Sequence, residues 1–302
     1  MMRSENDLLE ETLALAEKDY AVAYRYLLEA CEAAPGQYGP QTLYFLACLA
    51  GGSRQPDQAL AWLQRAVLDK GWWYRPEVLE DDDLAPLHGQ AAFLAVKAVS
   101  DQRYAAAAAR AKAEFTWQGK TADNLFLAVH GNTQNAQTAL EDWRALLGTD
   151  PRWQLEAIQS AEPDCFGTYR WRYDDASFLP VAQAMAQVSR AGYGRLVCGG
   201  FSAGCDMLLR AVAWSPARCG TLILQIPWLP VLQEHAEEVT QALRQKGIAL
   251  SIRCGSEDGD CLPPARQLAA LATQAGIPAA LTIQQGCRHQ FPREPLAFSD
   301  LP

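Results

Sequence analysis

The stretch LVCGGFSAGCDMLLRA, Leu196–Ala211, decides how the second half of the chain is read. An apolar run of strand character ends at Phe201, a serine follows between Gly200 and Gly204, and a helical pattern begins at once. A serine in that place has two physical readings. It can cap the helix through its side-chain oxygen. Alternatively, it can sit on a sharp strand-to-helix turn that presents its hydroxyl. The turn needs small residues two places to either side, because a side chain there would strike the helix or the strand. Gly200 and Gly204 meet that need, but in a chain with 21 glycines the pentapeptide alone does not separate the readings.

The surrounding sequence does more. From Phe115 onward, short apolar runs at 125–130, 153–160, 195–201, 220–226, 249–254 and 279–285 alternate with helical patterns near 136–147, 175–191, 203–214, 231–246 and 262–275. Strands that are apolar almost throughout fit a parallel sheet covered by helices on both faces. The alternation predicts an α/β fold with a doubly wound, mostly parallel sheet. Gly192, Gly247 and Gly276 stand where helix C-caps are required.

Open α/β sheets bind ligands beyond the carboxyl ends of their strands, so the residues just after each run carry the chemistry. After 195–201 comes Ser202, the candidate nucleophile. After 125–130 comes HGNTQN, where Gly131 permits a tight bend and the backbone N–H of Asn132, with Thr133 as runner-up, can bind an oxyanion together with the N–H of Ala203. His130 reads as a packed residue that shapes this loop. After 249–254 comes GSEDGD. Asp258, three residues past Gly255, is favoured as the acid that orients a histidine; Asp260 is the alternative if the loop carries one extra residue, and Glu257 is weaker. After the last run comes GCRHQFP with His289, which lies C-terminal to both the serine and the acids. In that order, the imidazole can take the serine proton while the acid holds its tautomer. Trp228, in the short segment PWLPVLQ, is placed to line an acyl or leaving-group pocket; Trp171 and Tyr169 are weaker candidates.

With these residues in hand, positions from about 115 to 302 resemble the α/β-hydrolase superfamily. LFLAVHGNTQN, GGFSAGCDMLLRA, CGSEDGD and GCRHQFP are most similar to its phospholipase/carboxylesterase-like branch. The resemblance implies a serine hydrolase acting on small ester substrates through an acyl-enzyme, with Ser202, Asp258 and His289 as its triad and no metal or other cofactor. Dienelactone hydrolases carry cysteine where Ser202 stands, so that activity is disfavoured. Two alternatives share the motif set: a peptidase of the prolyl-oligopeptidase type, and an interaction protein whose hydrolase domain no longer turns over. Family members often carry a further helix after the histidine; with only a short segment following His289 here, the resemblance implies a sheet flank left for the helical repeats or a second subunit to cover.

The first part of the chain is helical in period. Tyr20–Pro35 and Pro56–Gly71 superpose at a spacing of 36 residues, matching Ala23, Leu27 and Ala30 with Ala59, Leu63 and Ala66, and Tyr26 with Trp62. Each is preceded by another helical pattern. Such hairpins resemble tetratricopeptide (TPR) repeats, with a weaker third unit from Gly71 to about Gln102. This predicts an all-α repeat domain at 1–114 and a catalytic domain at 115–302, with a protein or peptide partner as what the repeats imply. The acids Glu80–Asp83 read as residues of a helix start. A net charge of −9 disfavours nucleic acid and anionic membrane surfaces. Nine cysteines, several in apolar runs and none in a CxxC pair, point to buried thiols and a reducing, cytoplasmic setting. The charged N-terminal segment lacks the apolar core of a signal peptide, and no apolar run is long enough to span a membrane.

Overall fold

A computed structural model describes residues 4–34, 36–174, 176–292 and 294–296. The chain divides into two compact units, Met1–Ala111 with Pro163–Gly167, and Lys112–Glu162 with Thr168–Pro302.

The first unit is built from helices α1 (Glu5–Ala16), α2 (Tyr20–Ala33), α3 (Pro40–Gly52), α4 (Pro56–Gln64) and α5 (Ala91–Ala108). Its starts are encoded locally. Ser4 and Asp7 form a reciprocal capping box on α1, Asp19 accepts from the N–H groups of Ala21 and Val22, and Pro40 and Pro56 open α3 and α4. α2 and α4 begin at Tyr20 and Pro56, the offset at which their sequences superpose. The matched pairs Ala23 and Ala59, and Leu27 and Leu63, are all fully buried. The period does not continue into a third helical hairpin. Residues Pro76–Glu80 and Asp82–Leu87 form two short 3-10 turns instead. Pro86 stands inside the second turn, where its missing N–H and its ring disfavour an α-helix, and the Asp81 carboxylate takes the N–H of Asp83. Asp81–Asp83 thus sit at the start of a 3-10 turn, while Glu80 ends the one before it. The segment Pro163–Gly167 belongs to this unit by its contacts: Asp164 pairs with Arg75 at 3.1 Å, and Phe166 N–H donates to the Trp73 carbonyl.

The second unit holds six parallel strands in the order β2 (Trp153–Ile158), β1 (Asn124–Val129), β5 (Leu196–Phe201), β6 (Thr221–Gln225), β7 (Ala249–Gly255) and β8 (Ala279–Gln284). Two very short strands, β3 (Glu162–Pro163) and β4 (Tyr169–Arg170), form a separate ladder. Helices α6 (Ala136–Leu147), α7 (Leu179–Ser189), α8 (Ala203–Trp214), α9 (Val231–Lys246) and α10 (Leu262–Gln274) connect the strands. Side chains alternate between two cores. Leu125, Leu127 and Val129 of β1 pack with residues of α7, α8, α9 and α10, while Phe126 and Ala128 pack with Trp143 of α6 on the other face. That is why these strands read as unbroken apolar runs. Gly247 caps α9 in the left-handed region.

Because α6 and α8 leave the sheet on opposite faces, the strand order reverses between β1 and β5. The loops after these two strands therefore open side by side, at a topological switch point. On the α6 face of the far edge, Ala280 and Thr282 are exposed, and the end of the C-terminal segment lies outside the described residues. No helix of the described residues is long and apolar enough to cross a membrane.

Candidate active site

Ser202 occupies the N-cap position of α8, yet its side chain makes no capping hydrogen bond. Its backbone stands at φ 50°, ψ −120°, a conformation that a side-chain-bearing residue adopts only under constraint. The constraint is visible. Ser202 N–H donates to the Gln225 carbonyl at 3.0 Å, and its own carbonyl accepts from Cys205 N–H at 3.0 Å. A Cβ on Gly200 would stand 2.8 Å from the Cys205 nitrogen, and one on Gly204 would stand 2.6 Å from the carbonyl oxygens of both Val129 and His130. Both glycines are thus required by close backbone approach, and the turn aims the hydroxyl away from the helix.

That hydroxyl meets His289. Ser202 Oγ lies 2.8 Å from His289 Nε2, and His289 Nδ1 lies 2.8 Å from Asp258 Oδ2. With Nδ1–H donating to the carboxylate, Nε2 keeps its lone pair for the serine O–H. Of the three acids that could take this place, Asp258 is the buried one that reaches the imidazole; Asp260 and Glu257 are exposed. Asp260 instead donates its N–H to Asp258 Oδ1 at 3.2 Å, beside Cys261 N–H at 2.8 Å. Burial pushes the Asp258 carboxyl up, but the His289 hydrogen bond and charge together with these two N–H groups outweigh it and hold the carboxyl below its ordinary value.

The acid loop and the histidine loop are stitched together. Glu257 N–H donates to the Cys287 carbonyl at 2.9 Å, and Gly286 N–H to Ser256 Oγ at 2.9 Å. A Cβ on Gly255 would lie 2.2 Å from the Cys287 carbonyl oxygen, so only glycine lets the strand end approach the chain that carries His289.

The loop after β1 lies beside the elbow. Among the described residues, neither the Asn132 N–H nor the Ala203 N–H has a hydrogen-bond partner, so both are free to donate. The Asn132 carboxamide holds this loop: Oδ1 accepts from Trp171 N–H at 2.7 Å, and Nδ2 donates to the Tyr173 hydroxyl at 3.2 Å. Gly131 N–H donates to Gln134 Oε1, and Gln134 Nε2 donates to Asp142, whose carboxyl burial pushes up to about 7. Thr133, the runner-up donor, is exposed and has φ 62°.

His130 is fully buried. Its Nε2 accepts from Ser160 N–H at 3.1 Å, which leaves Nδ1–H to donate to the Gly131 carbonyl at 2.6 Å. The ring is a brace for the loop, and burial lowers its pKa to about 4. An unfolded histidine titrates at about 6.5, so between those values the unfolded chain binds the extra proton, and this group erodes stability as pH falls through that window. In an imidazole NMR titration, His130 is expected to stay neutral until close to pH 4. Protonation near the ordinary value would mean that the ring is solvated and the brace absent.

Trp228 comes to the elbow through its backbone, whose N–H faces the Ser202 carbonyl at 3.4 Å, and its side chain is partly buried. Trp171 is a core residue: its Nε1–H donates to the His130 carbonyl at 2.8 Å and its ring stacks on the imidazole. Tyr169 serves the loop through its backbone, donating to the Gln134 carbonyl. Tyr173 was not singled out from the sequence. It sits in the same WRYD stretch, its ring is exposed, and burial of its hydroxyl end pushes the phenol up to about 12. Asp206 was also missed. It is buried beside Arg210 at 2.5 Å and accepts from Val231 N–H at 2.8 Å, anchoring the start of α9 behind the Trp228 segment. An acid and an arginine four residues apart in the helix after the serine were its sequence signal.

Comparisons with known proteins agree with this architecture. Residues 4–108 match the family model described as A/B hydrolase-like, N-terminal domain. The tetratricopeptide reading of those residues therefore remains a likeness of helix period alone. No curated protein matches the chain. Among solved structures, an uncharacterized protein from Bacillus cereus is 25% identical, with 96% of this chain and 94% of that one covered and a TM-score of 0.52. Esterase PE8 is 16% identical over 61% of this chain and 92% of its own, with a TM-score of 0.46. Acyl-protein thioesterase 2 from Zea mays is 15% identical over 60% and 92%, with a TM-score of 0.41. The six parallel strands with helices on both faces are those of the α/β-hydrolase fold, preceded in this chain by a helical segment similar to the N-terminal domain of A/B hydrolase-like proteins.

Proposed function

We propose that the protein is a serine hydrolase of small carboxylic esters and that Ser202, His289 and Asp258 are its catalytic residues. The observation that carries this reading is the unbroken hydrogen-bonded line from a strained serine through an imidazole to a buried carboxylate. His289 Nε2 takes the Ser202 proton as Oγ attacks the ester carbonyl carbon. The N–H groups of Asn132 and Ala203 receive the oxyanion, each donor contributing about 10²- to 10³-fold to the rate. The protonated His289 then gives its proton to the departing alkoxide, which leaves as an alcohol. Water attacks the acyl-enzyme by the same steps in reverse, with His289 as base. Asp258 keeps Nδ1 protonated and stabilises the imidazolium throughout. Trp228 lines the acyl or leaving-group side. The burial of most of the nine cysteines in apolar surroundings supports a reducing, cytoplasmic setting.

A panel of p-nitrophenyl esters of increasing acyl length, set against aminoacyl amides, tests the reaction class. Short and medium esters are expected to turn over and the amides to remain intact. Amide cleavage at a comparable kcat/KM would replace the esterase reading with a peptidase.

A further inference from the structure

We propose that Asp258, Cys261 and His289 form an inhibitory binding site for a soft divalent cation of the zinc class. Serine hydrolysis as described above uses the first and third of these side chains and gives the thiol no task. Yet the thiol is placed against both. Cys261 Sγ lies 3.5 Å from His289 Nδ1, which lies 2.8 Å from Asp258 Oδ2, and one ligand atom from each residue falls within 4.8 Å of the others.

The spacing suits a tetrahedral ion. Bonds of about 2.3 Å to sulfur and about 2.0 Å to imidazole nitrogen hold those two atoms about 3.6 Å apart. The Nδ1–Oδ2 separation must open by roughly half an ångström to admit the same ion. A thiolate and a carboxylate neutralise a divalent cation, which suits a position where Cys261 and Asp258 are both buried. Sulfur, nitrogen and oxygen in one set favour zinc or cadmium over magnesium or calcium. The His289 side chain is 33% exposed, which leaves an approach from solvent and room for a water as fourth ligand.

Binding forms bonds from the metal to Sγ, Nδ1 and Oδ2. The thiol proton leaves to solvent. The Nδ1 proton moves to Nε2 by exchange through water, so the imidazole stays neutral. Nε2 then carries a proton and has no lone pair for the Ser202 hydroxyl, and the base is lost. Inhibition therefore rests on the proposed hydrolase chemistry, whereas binding does not.

The two can be read apart. Cadmium titrated into the Ser202→Ala protein is expected to give a thiolate-to-metal charge-transfer band in the ultraviolet, and Cys261→Ser on that background is expected to remove it while the other cysteines remain. In the wild type, micromolar zinc is expected to stop ester hydrolysis, with recovery on adding a chelator. Each measured against its own metal-free rate, Cys261→Ser and Cys261→Ala should raise the inhibiting zinc concentration by about a hundredfold or more, since even an outer-shell partner of a metal is worth about 10- to 100-fold in affinity. A cadmium band that survives Cys261→Ser, a wild type indifferent to zinc, or cysteine variants that zinc inhibits as strongly as the wild type overturns the proposal. If no ester is hydrolysed at all, the cadmium measurement alone still decides the site.

Discussion

Ser202→Ala is expected to lower ester hydrolysis by about 10⁴- to 10⁶-fold while leaving thermal stability nearly unchanged. The first half follows from chemistry: without Oγ there is no acyl-enzyme, and only substrate binding and the oxyanion donors remain to help water. The second half follows from the backbone. A serine that truly capped α8 would lose about 1 kcal/mol on truncation, but Ser202 makes no capping bond. Ser202→Gly sharpens the contrast. Glycine accepts the positive φ without strain, so this inactive variant is expected to melt higher than the wild type, by the equivalent of about 1 kcal/mol. A loss of stability in both variants, with activity retained, would return Ser202 to the role of a cap.

Asp258→Asn is expected to cost about 10⁴-fold in kcat, and Asp260→Asn next to nothing. An asparagine amide at 258 can donate to Nδ1, which moves the imidazole proton to Nε2 and removes the base. Asp260 touches the site only through its backbone N–H, which substitution leaves in place. The Asp258 carboxyl is held below its ordinary value, so its pairing contributes stability that is fully present above the usual carboxylate pKa and is lost as pH falls through its own, lower one. A kinetic ranking with Asp260 as the costly position would contradict the geometry. So would an Asp258→Asn enzyme of near wild-type rate.

Much of this is legible in the sequence. The six strands and five helices after Phe115 announce themselves because a parallel sheet buried on both faces demands continuous apolar runs, and each proposed site residue follows one of them. The choice between Asp258 and Asp260 was not legible, since it turns on one residue of loop length and on which carboxylate the chain buries. Nor was the fit of Gly255 against Cys287, a contact between residues far apart in sequence. Tyr173 escaped notice because its role depends on the Asn132 carboxamide, and hydrogen bonds between loops leave no periodic trace. The third helical repeat failed in part for a local reason: Pro86 lies inside the segment and overrides its apolar spacing, and the chain forms 3-10 turns there. The return of Pro163–Gly167 to the helical unit is likewise a tertiary event, carried by the Arg75–Asp164 pair.

The central claim is that Ser202 is a nucleophile activated by His289 and Asp258. The most direct test is the intact mass of the protein after reaction with a fluorophosphonate, followed by peptide mapping. One phosphonyl adduct on the peptide bearing Ser202, absent from Ser202→Ala and strongly slowed in His289→Ala, is the predicted result. A folded wild type that takes up no adduct, or takes it up on another residue, would contradict the account.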